Sequence, residues 1–174
     1  AGGVGLSAIM GAKMAGAEQI IAIDRELSKR QMSEALGATD FVVADDAAVD
    51  NVIRLTDGRG ADVVLEAVGH TQLQEKWLDG VRRGGTLVLV GLPSTANATK
   101  FVSADVIRSE KTIKGSYYAA TDPGQAIEDL CSAYLEDGLP VERLVSKRVR
   151  IENVQEAINA MLTGTEGRTV IIYD

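Results

Sequence analysis

Short apolar runs alternate with segments of helical period along the first two thirds of the chain, and that alternation sets the fold class. The runs are residues 19–24, Asp40–Ala44 (DFVVA), Asp62–Ala67 (DVVLEA), Thr86–Gly91 (TLVLVG) and Thr112–Tyr118. A strand that is apolar throughout needs cover on both faces, and a helix between consecutive strands leaves them parallel. The pattern predicts an α/β fold built on a doubly wound parallel sheet. No internal repeat or low-complexity segment interrupts it.

The helical segments read as follows. Residues 5–17 place Leu6, Ile9, Met10, Lys13, Met14 and Ala17 on one face, with small residues elsewhere, as suits a helix packed closely on a sheet. A helix over about 26–36 turns Leu27, Met32, Ala35 and Leu36 inward, and Gly37 fits its C′ position. Asp45 or Asp46 caps a helix carrying Val49, Val52, Ile53 and Leu55. Asp57-Gly58-Arg59-Gly60 is a turn. Thr71 caps a helix running through Arg82, with Leu73, Trp77, Leu78 and Val81 inward, and Gly84-Gly85 then turns into the next strand. A short helix spans about 103–109. At Ala119–Pro123 the rhythm changes. A longer helix runs to about Asp137 with Ile127, Leu130, Cys131 and Tyr134 on one side. The strand-like Leu144–Val149, a helix with Val154, Ala157, Ile158, Met161 and Leu162, and the run Arg168–Tyr173 complete the chain. Residues after about 120 read as a tail belonging to a second structural unit.

Ala1-Gly2-Gly3-Val4-Gly5 reads as the last five positions of G-x-G-x-x-G. Such a loop offers backbone N–H groups to a pyrophosphate at a helix N-terminus, with no Cβ in the way. Gly2 allows the close approach, Gly3 and Val4 offer amides, and Gly5 lets the helix pack against the strand that feeds the loop. Asp24 ends the apolar run Ile20-Ile21-Ala22-Ile23, 19 residues after Gly5. A carboxylate there accepts hydrogen bonds from ribose hydroxyls and disfavours a 2′-phosphate, so the pair specifies a dinucleotide, NAD rather than NADP. A tight turn alone explains the glycines but not the clean helical face and the acidic strand end that follow. Arg25 complicates the choice, because an adjacent Arg can meet a 2′-phosphate. Lys29, one turn on, reaches either ribose or phosphate. Ligands of open α/β sheets bind outside the carboxyl ends of the strands. Glu66-Ala67-Val68-Gly69 and Val90-Gly91-Leu92-Pro93 sit there, able to line a flat ring with backbone, although each taken alone is equally a simple βα turn. The fold expectation is therefore a Rossmann doubly wound parallel sheet whose first strand is missing from the sequence.

Composition narrows the classes. Hydrophobic residues make up 45% and charged residues 25%, which is globular rather than disordered. The net charge is −7 with Lys and Arg scattered, which excludes a nucleic-acid stripe. No long apolar span suggests a membrane segment. One Cys excludes an internal disulfide, and a cytoplasmic location is the expectation. One Cys also excludes a Cys-rich zinc site within these residues, and no catalytic residue can be named among them. His70 reads as a surface residue, Cys131 and Trp77 as core. Tyr117-Tyr118 could pack on a nicotinamide or on a neighbouring subunit.

The order of these motifs resembles the medium-chain zinc-dependent alcohol dehydrogenases. The matching stretches are GGVGLSAI (Gly2–Ile9), AGAEQIIAID (Ala15–Asp24), ALGATDFV (Ala35–Val42), GADVVLEAVG (Gly60–Gly69), GGTLVLVGLP (Gly84–Pro93) and KTIKGSYY (Lys111–Tyr118). The resemblance implies that residues 1–118 are an NAD-binding Rossmann domain, incomplete at its N-terminus. It implies that 119–174 are a segment returning to a catalytic domain. Asp24 and Lys29 match the adenosine-ribose pair. Ala67, Val68, Val90, Leu92, Ser116 and Tyr118 match positions around the coenzyme, and Arg168 a basic residue that meets the pyrophosphate. The implied reaction is hydride transfer from an alcohol to NAD, giving an aldehyde or ketone. Zinc acts as a Lewis acid held by residues of the full-length protein outside this chain.

Three expectations follow. The chain alone should be inactive, because the catalytic zinc ligands, the proton relay and most of the substrate pocket precede it in the family. In the strand order 3-2-1-4-5-6 the missing first strand is central, and leaving its neighbours unpaired costs ~1–3 kcal/mol per buried unsatisfied group. Another segment should supply it, either residues ahead of Ala1 or a nicked companion chain carrying the missing N-terminal catalytic part. The last strand, about Thr112–Tyr118, presents an edge that a homodimer or homotetramer would cover. Two other functions compete: a zinc-free NAD(P)H-dependent enone or quinone reductase, against which Asp24 argues, and a non-enzymatic dinucleotide-sensing module.

Overall fold

The computed structural model describes residues 1–119, 122–136, 138–163 and 168–173, with 162 and 163 described by backbone alone. The chain begins with helix α1 (Gly3–Met14), then β1 (Ile21–Asp24), a 3-10 turn (Leu27–Lys29), α2 (Arg30–Leu36) and β2 (Asp40–Val43). Next come α3 (Ala48–Leu55), β3 (Ala61–Glu66), α4 (Thr71–Asp79), β4 (Val81–Leu89), α5 (Ser103–Ser109) and β5 (Thr112–Gly115). The chain ends with α6 (Pro123–Glu136), β6 (Val145–Arg150), α7 (Val154–Thr163) and β7 (Arg168–Ile172). All recorded strand pairs are parallel: β1 with β2, β3 with β4, β4 with β5, and β6 with β7. Parallel strands flanked by helices give the expected Rossmann-like α/β class.

The described strands form three sheets rather than one. In the order 3-2-1-4-5-6, a strand ahead of the glycine loop pairs with both β1 and β3. No strand precedes α1 among the described residues, and there β1 and β3 each pair on one edge. The expectation of apolar strands covered on both faces fails locally, since Val63 and Leu65 of β3 are exposed.

Two compact units divide the chain: residues 1–43 with 127–174, and residues 44–126. In the first, Leu6, Ile9 and Met10 of α1 join Ile20, Ala22, Leu36, Ala38, Phe41, Ala133, Leu139 and Leu144 in one core. In the second, Ala48, Val52, Trp77, Leu78, Val81 and Leu87 are buried, so Trp77 is core as expected.

Helix ends explain several differences from the sequence reading. α1 stops at Met14 because Gly16, with φ +78°, closes a Schellman end in which Ala17 N–H donates to Ala12 O and Gly16 N–H to Lys13 O. Met14 and Ala17, expected inward, are exposed. Gly37, with φ +124°, ends α2 in the same way. Before α2 the chain makes a 3-10 turn, which leaves Leu27 exposed, and Ala35 is exposed as well. α4 ends at Asp79, not Arg82; Val81 already begins β4, and Gly84 (φ +69°) lies within that strand at a register shift instead of before it. β5 stops at Gly115, and Tyr118, at φ +52°, departs from extended geometry.

The stripe on α6 is the largest departure. Ile127, Leu130, Cys131 and Tyr134 are exposed, and Ala133 is the residue of that helix that is buried. Periodicity identified an apolar stripe correctly, but no described element covers it. On α7, Ala157 is buried while Ile158 and Met161 are exposed. Asp137, Ala120, Thr121 and the side chain of Leu162, which also figured in the sequence reading, lie outside the described residues.

Candidate dinucleotide site

In the first unit the glycine loop, Asp24, Lys29 and Arg168 come together around the start of α1 and the end of β1. Gly2 is the extended N-cap of α1, and no side chain caps the helix. The first bond into the helix is from Leu6 N–H to Gly2 O, at 2.8 Å. The amides of Gly3, Val4 and Gly5 precede it, so they have no acceptor within the helix and can serve an anion. A Cβ at Gly2 would meet open space, so backbone there is approachable. At Gly3 a Cβ would lie 3.4 Å from Arg168 Nε, which puts the guanidinium against the helix start from the distant strand β7. A Cβ at Gly5 would meet nothing within 4 Å among the described residues.

Asp24 ends β1. Its Oδ1 accepts from Glu26 N–H at 2.9 Å, and its Oδ2 pairs with the Ala1 ammonium. Burial pushes this carboxyl up. The Glu26 amide, the Ala1 ammonium and the charge of Lys29 together outweigh that and hold it below its ordinary value of 3.8. Lys29 is itself buried, and its charge acts on the Asp24 carboxylate. Arg25 is exposed.

The second unit carries the other anticipated residues. Val68 and Leu92 are 73% and 78% exposed at the ends of β3 and β4. Their turns interlock: Gly69 has φ +79°, and a Cβ on Gly91 would come within 2.0 Å of Gly69 N. Val90 and Gly91 both donate their N–H to Glu66 O. Ala67 and Val90 are half-buried beside these turns. Ser116 N–H donates to Leu89 O at 2.9 Å, tying the end of β5 to β4. Tyr118 is exposed and stacks edge-on against Tyr117, ring centroids 4.4 Å apart. His70 is the exposed N-cap of α4.

Sequence reasoning placed Glu66 in a strand-end turn but missed the contacts of its side chain, and missed Gln74 and Thr99 altogether. Glu66 is buried, and its carboxylate accepts from Val68 N–H at 2.7 Å, Gly69 N–H at 2.9 Å and Gln74 Nε2 at 3.0 Å. Gln74 Oε1 in turn accepts from Thr99 Oγ1 at 2.6 Å. The signal was a carboxylate closing the apolar run DVVLE and a Gln on the inward face of α4.

The family model for zinc-binding dehydrogenases matches residues 3–133. The chain belongs to that family. It is 34% identical over 175 aligned residues to an NDMA-dependent alcohol dehydrogenase from Amycolatopsis methanolica, covering 99% of this chain and 47% of that protein. It also resembles the solved alcohol dehydrogenase zinc-binding domain protein of Burkholderia ambifaria, with TM-score 0.91 and 30% identity over 100% of this chain and 47% of the other. Benzyl alcohol dehydrogenase from Acinetobacter calcoaceticus gives TM-score 0.90 at 28% identity, covering 99% of this chain and 48% of the other. This zinc-binding dehydrogenase chain thus spans about half the length of the relatives it matches. No described helix is long and apolar enough to cross a membrane.

The family implies a nicotinamide coenzyme and zinc. The coenzyme fits the residues present: free helix amides, an approachable Gly2, Arg168 beside Gly3, and a carboxylate at the next strand end. Among the described residues no group of three or more His, Cys, Asp or Glu side chains is placed to hold a metal.

Proposed function

We propose that this chain is the coenzyme-binding part of an NAD-dependent, zinc-dependent alcohol dehydrogenase. Residues 1–118 form its coenzyme domain and 119–174 return to a catalytic domain. The observation that supports this best is the meeting of Arg168, from β7, with Gly3 at the start of α1, in the unit that also carries Asp24 and Lys29. Gly2, Gly3, Val4, Gly5 and Arg168 hold the pyrophosphate, by amides and by a guanidinium. Asp24, with Lys29 and Arg25 beside it, takes the adenosine ribose. Ala67, Val68, Val90, Gly91, Leu92, Ser116 and Tyr118 serve the nicotinamide half. NAD, when bound, accepts a hydride from the alcohol carbon, leaving an aldehyde or ketone. Zinc and the proton relay are assigned to residues outside this chain, and the whole protein to a cytoplasmic homodimer or homotetramer.

Arg25, next to Asp24, favours the competing reading of an NADPH-dependent, zinc-free reductase. Fluorescence titration of the full-length protein with NADH and NADPH separates the two. NADH should bind at least about tenfold more tightly, the effect of a like-charge contact of about 1.4 kcal/mol or more. Asp24→Ser should narrow that ratio. Tighter NADPH binding by the unaltered protein would favour the reductase and overturn the proposal.

A further inference from the structure

The turns after β3 and β4 have little apolar packing of their own. Val68 and Leu92 point largely to solvent, and two glycines meet where side chains would otherwise pack. Their shape is held instead by a buried polar chain. Glu66 is 4% exposed and Gln74 2% exposed. The Glu66 carboxylate takes the N–H groups of Val68 and Gly69 together with Gln74 Nε2, all neutral donors. Gln74 Nε2 also reaches Gly91 O at 3.3 Å, on the second turn, and Gln74 Oε1 accepts the Thr99 hydroxyl, on the loop beyond it. Among the described residues no buried side-chain nitrogen or oxygen lacks a partner, so the chain is saturated. A buried carboxylate is a costly way to close a strand end, since an apolar residue would fill the space without a desolvation penalty. What it adds is direction: it fixes two consecutive amides of one turn and, through Gln74, the carbonyl of the other.

We infer that Glu66, Gln74 and Thr99 are positioning residues, which hold the Val68–Gly69 and Gly91–Leu92 turns in the form that receives the nicotinamide half of the coenzyme. This rests on the reading of the chain as an NAD-binding part. The chain acts through the turns and touches no reacting atom.

The test uses the full-length protein and two probes, NADH and ADP-ribose, the second of which lacks the nicotinamide. Gln74→Glu sets a carboxylate against Glu66. NADH affinity should fall about tenfold or more, while ADP-ribose affinity changes by less than about threefold. Exchanging the pair, Glu66→Gln with Gln74→Glu, restores an amide facing a carboxylate but not the donor to Gly91 O, so NADH affinity should recover only part of the loss. Thr99→Val, a milder change, should weaken NADH selectively and decides the matter if Gln74→Glu does not fold. Equal losses for both probes, or no loss of NADH in folded variants, would overturn the inference. An unaltered protein that binds neither probe would instead overturn the coenzyme reading, and this inference with it.

Discussion

Asp24 closes β1 and accepts from the Glu26 amide. It is partly buried, and burial alone would raise its proton affinity, but the Glu26 amide, Lys29 and the ammonium carried by a chain that starts at Ala1 reverse that and keep it below 3.8. The unfolded chain therefore takes up the proton first as pH falls. The stabilisation is present in full above about 3.8 and is lost as pH drops through the lower, folded value. Asp24→Asn should make this chain less stable by about 1–2 kcal/mol at pH 7, a typical worth for hydrogen bonds to a charged group. Urea unfolding should give the same gap at pH 5, and the gap should begin to close as pH falls past about 3.8 and vanish below the lower, folded value. A gap that persists undiminished at pH 3 would show that Asp24 is not held as an ion. Asp24 was legible because its position follows from the length of a βα unit. Glu66 was not, because a carboxylate at a strand end looks the same in sequence whether it faces solvent or two backbone amides.

Glycines act differently according to the element that holds them. Gly11 lies in the exposed middle of α1, and a Cβ there meets nothing within 4 Å. Gly11→Ala should stabilise the chain by up to about 1 kcal/mol, through helix propensity and a stiffer unfolded state. Gly91 lies where two turns cross, and its Cβ would stand 2.0 Å from the Gly69 nitrogen. Gly91→Ala has to displace backbone and should cost about 3 kcal/mol. Thermal or chemical unfolding of the two variants should move in opposite directions; a neutral Gly91→Ala would mean the turns are not interlocked. The order of strands and helices was readable because their two periods differ. The ends of elements were readable only in part. Gly37 was recognised as a helix stop, but Gly16 was lost among the other small residues of α1, although it closes its helix by the same pair of hydrogen bonds. On α6 the spacing of Ile127, Leu130, Cys131 and Tyr134 identified an apolar stripe, yet spacing says nothing about what covers it, and these residues are exposed.

The chain matches its relatives over almost its whole length while spanning about half of theirs. Its exposed apolar surface fits that proportion: the α6 stripe, Val63 and Leu65 on β3, and Ile158 and Met161 on α7 all lack cover among the described residues. Coenzyme recognition and alcohol chemistry should then be separable. The groups that suit a pyrophosphate and a ribose are Gly2, Gly3, Asp24, Lys29 and Arg168, and all belong to one compact unit of this chain. The groups that would bind zinc cannot be assembled here, since the sequence holds one Cys and one His. Purified residues 1–174, given NAD, zinc salt and a panel of primary alcohols, should form NADH no faster than the enzyme-free mixture. The full-length protein should turn the same alcohols over. Adding zinc to the chain cannot rescue it, because a catalytic zinc needs three protein ligands and an open position. Turnover by the isolated chain would show that the chemistry resides within these residues after all, and would require a catalytic group among side chains assigned here to binding.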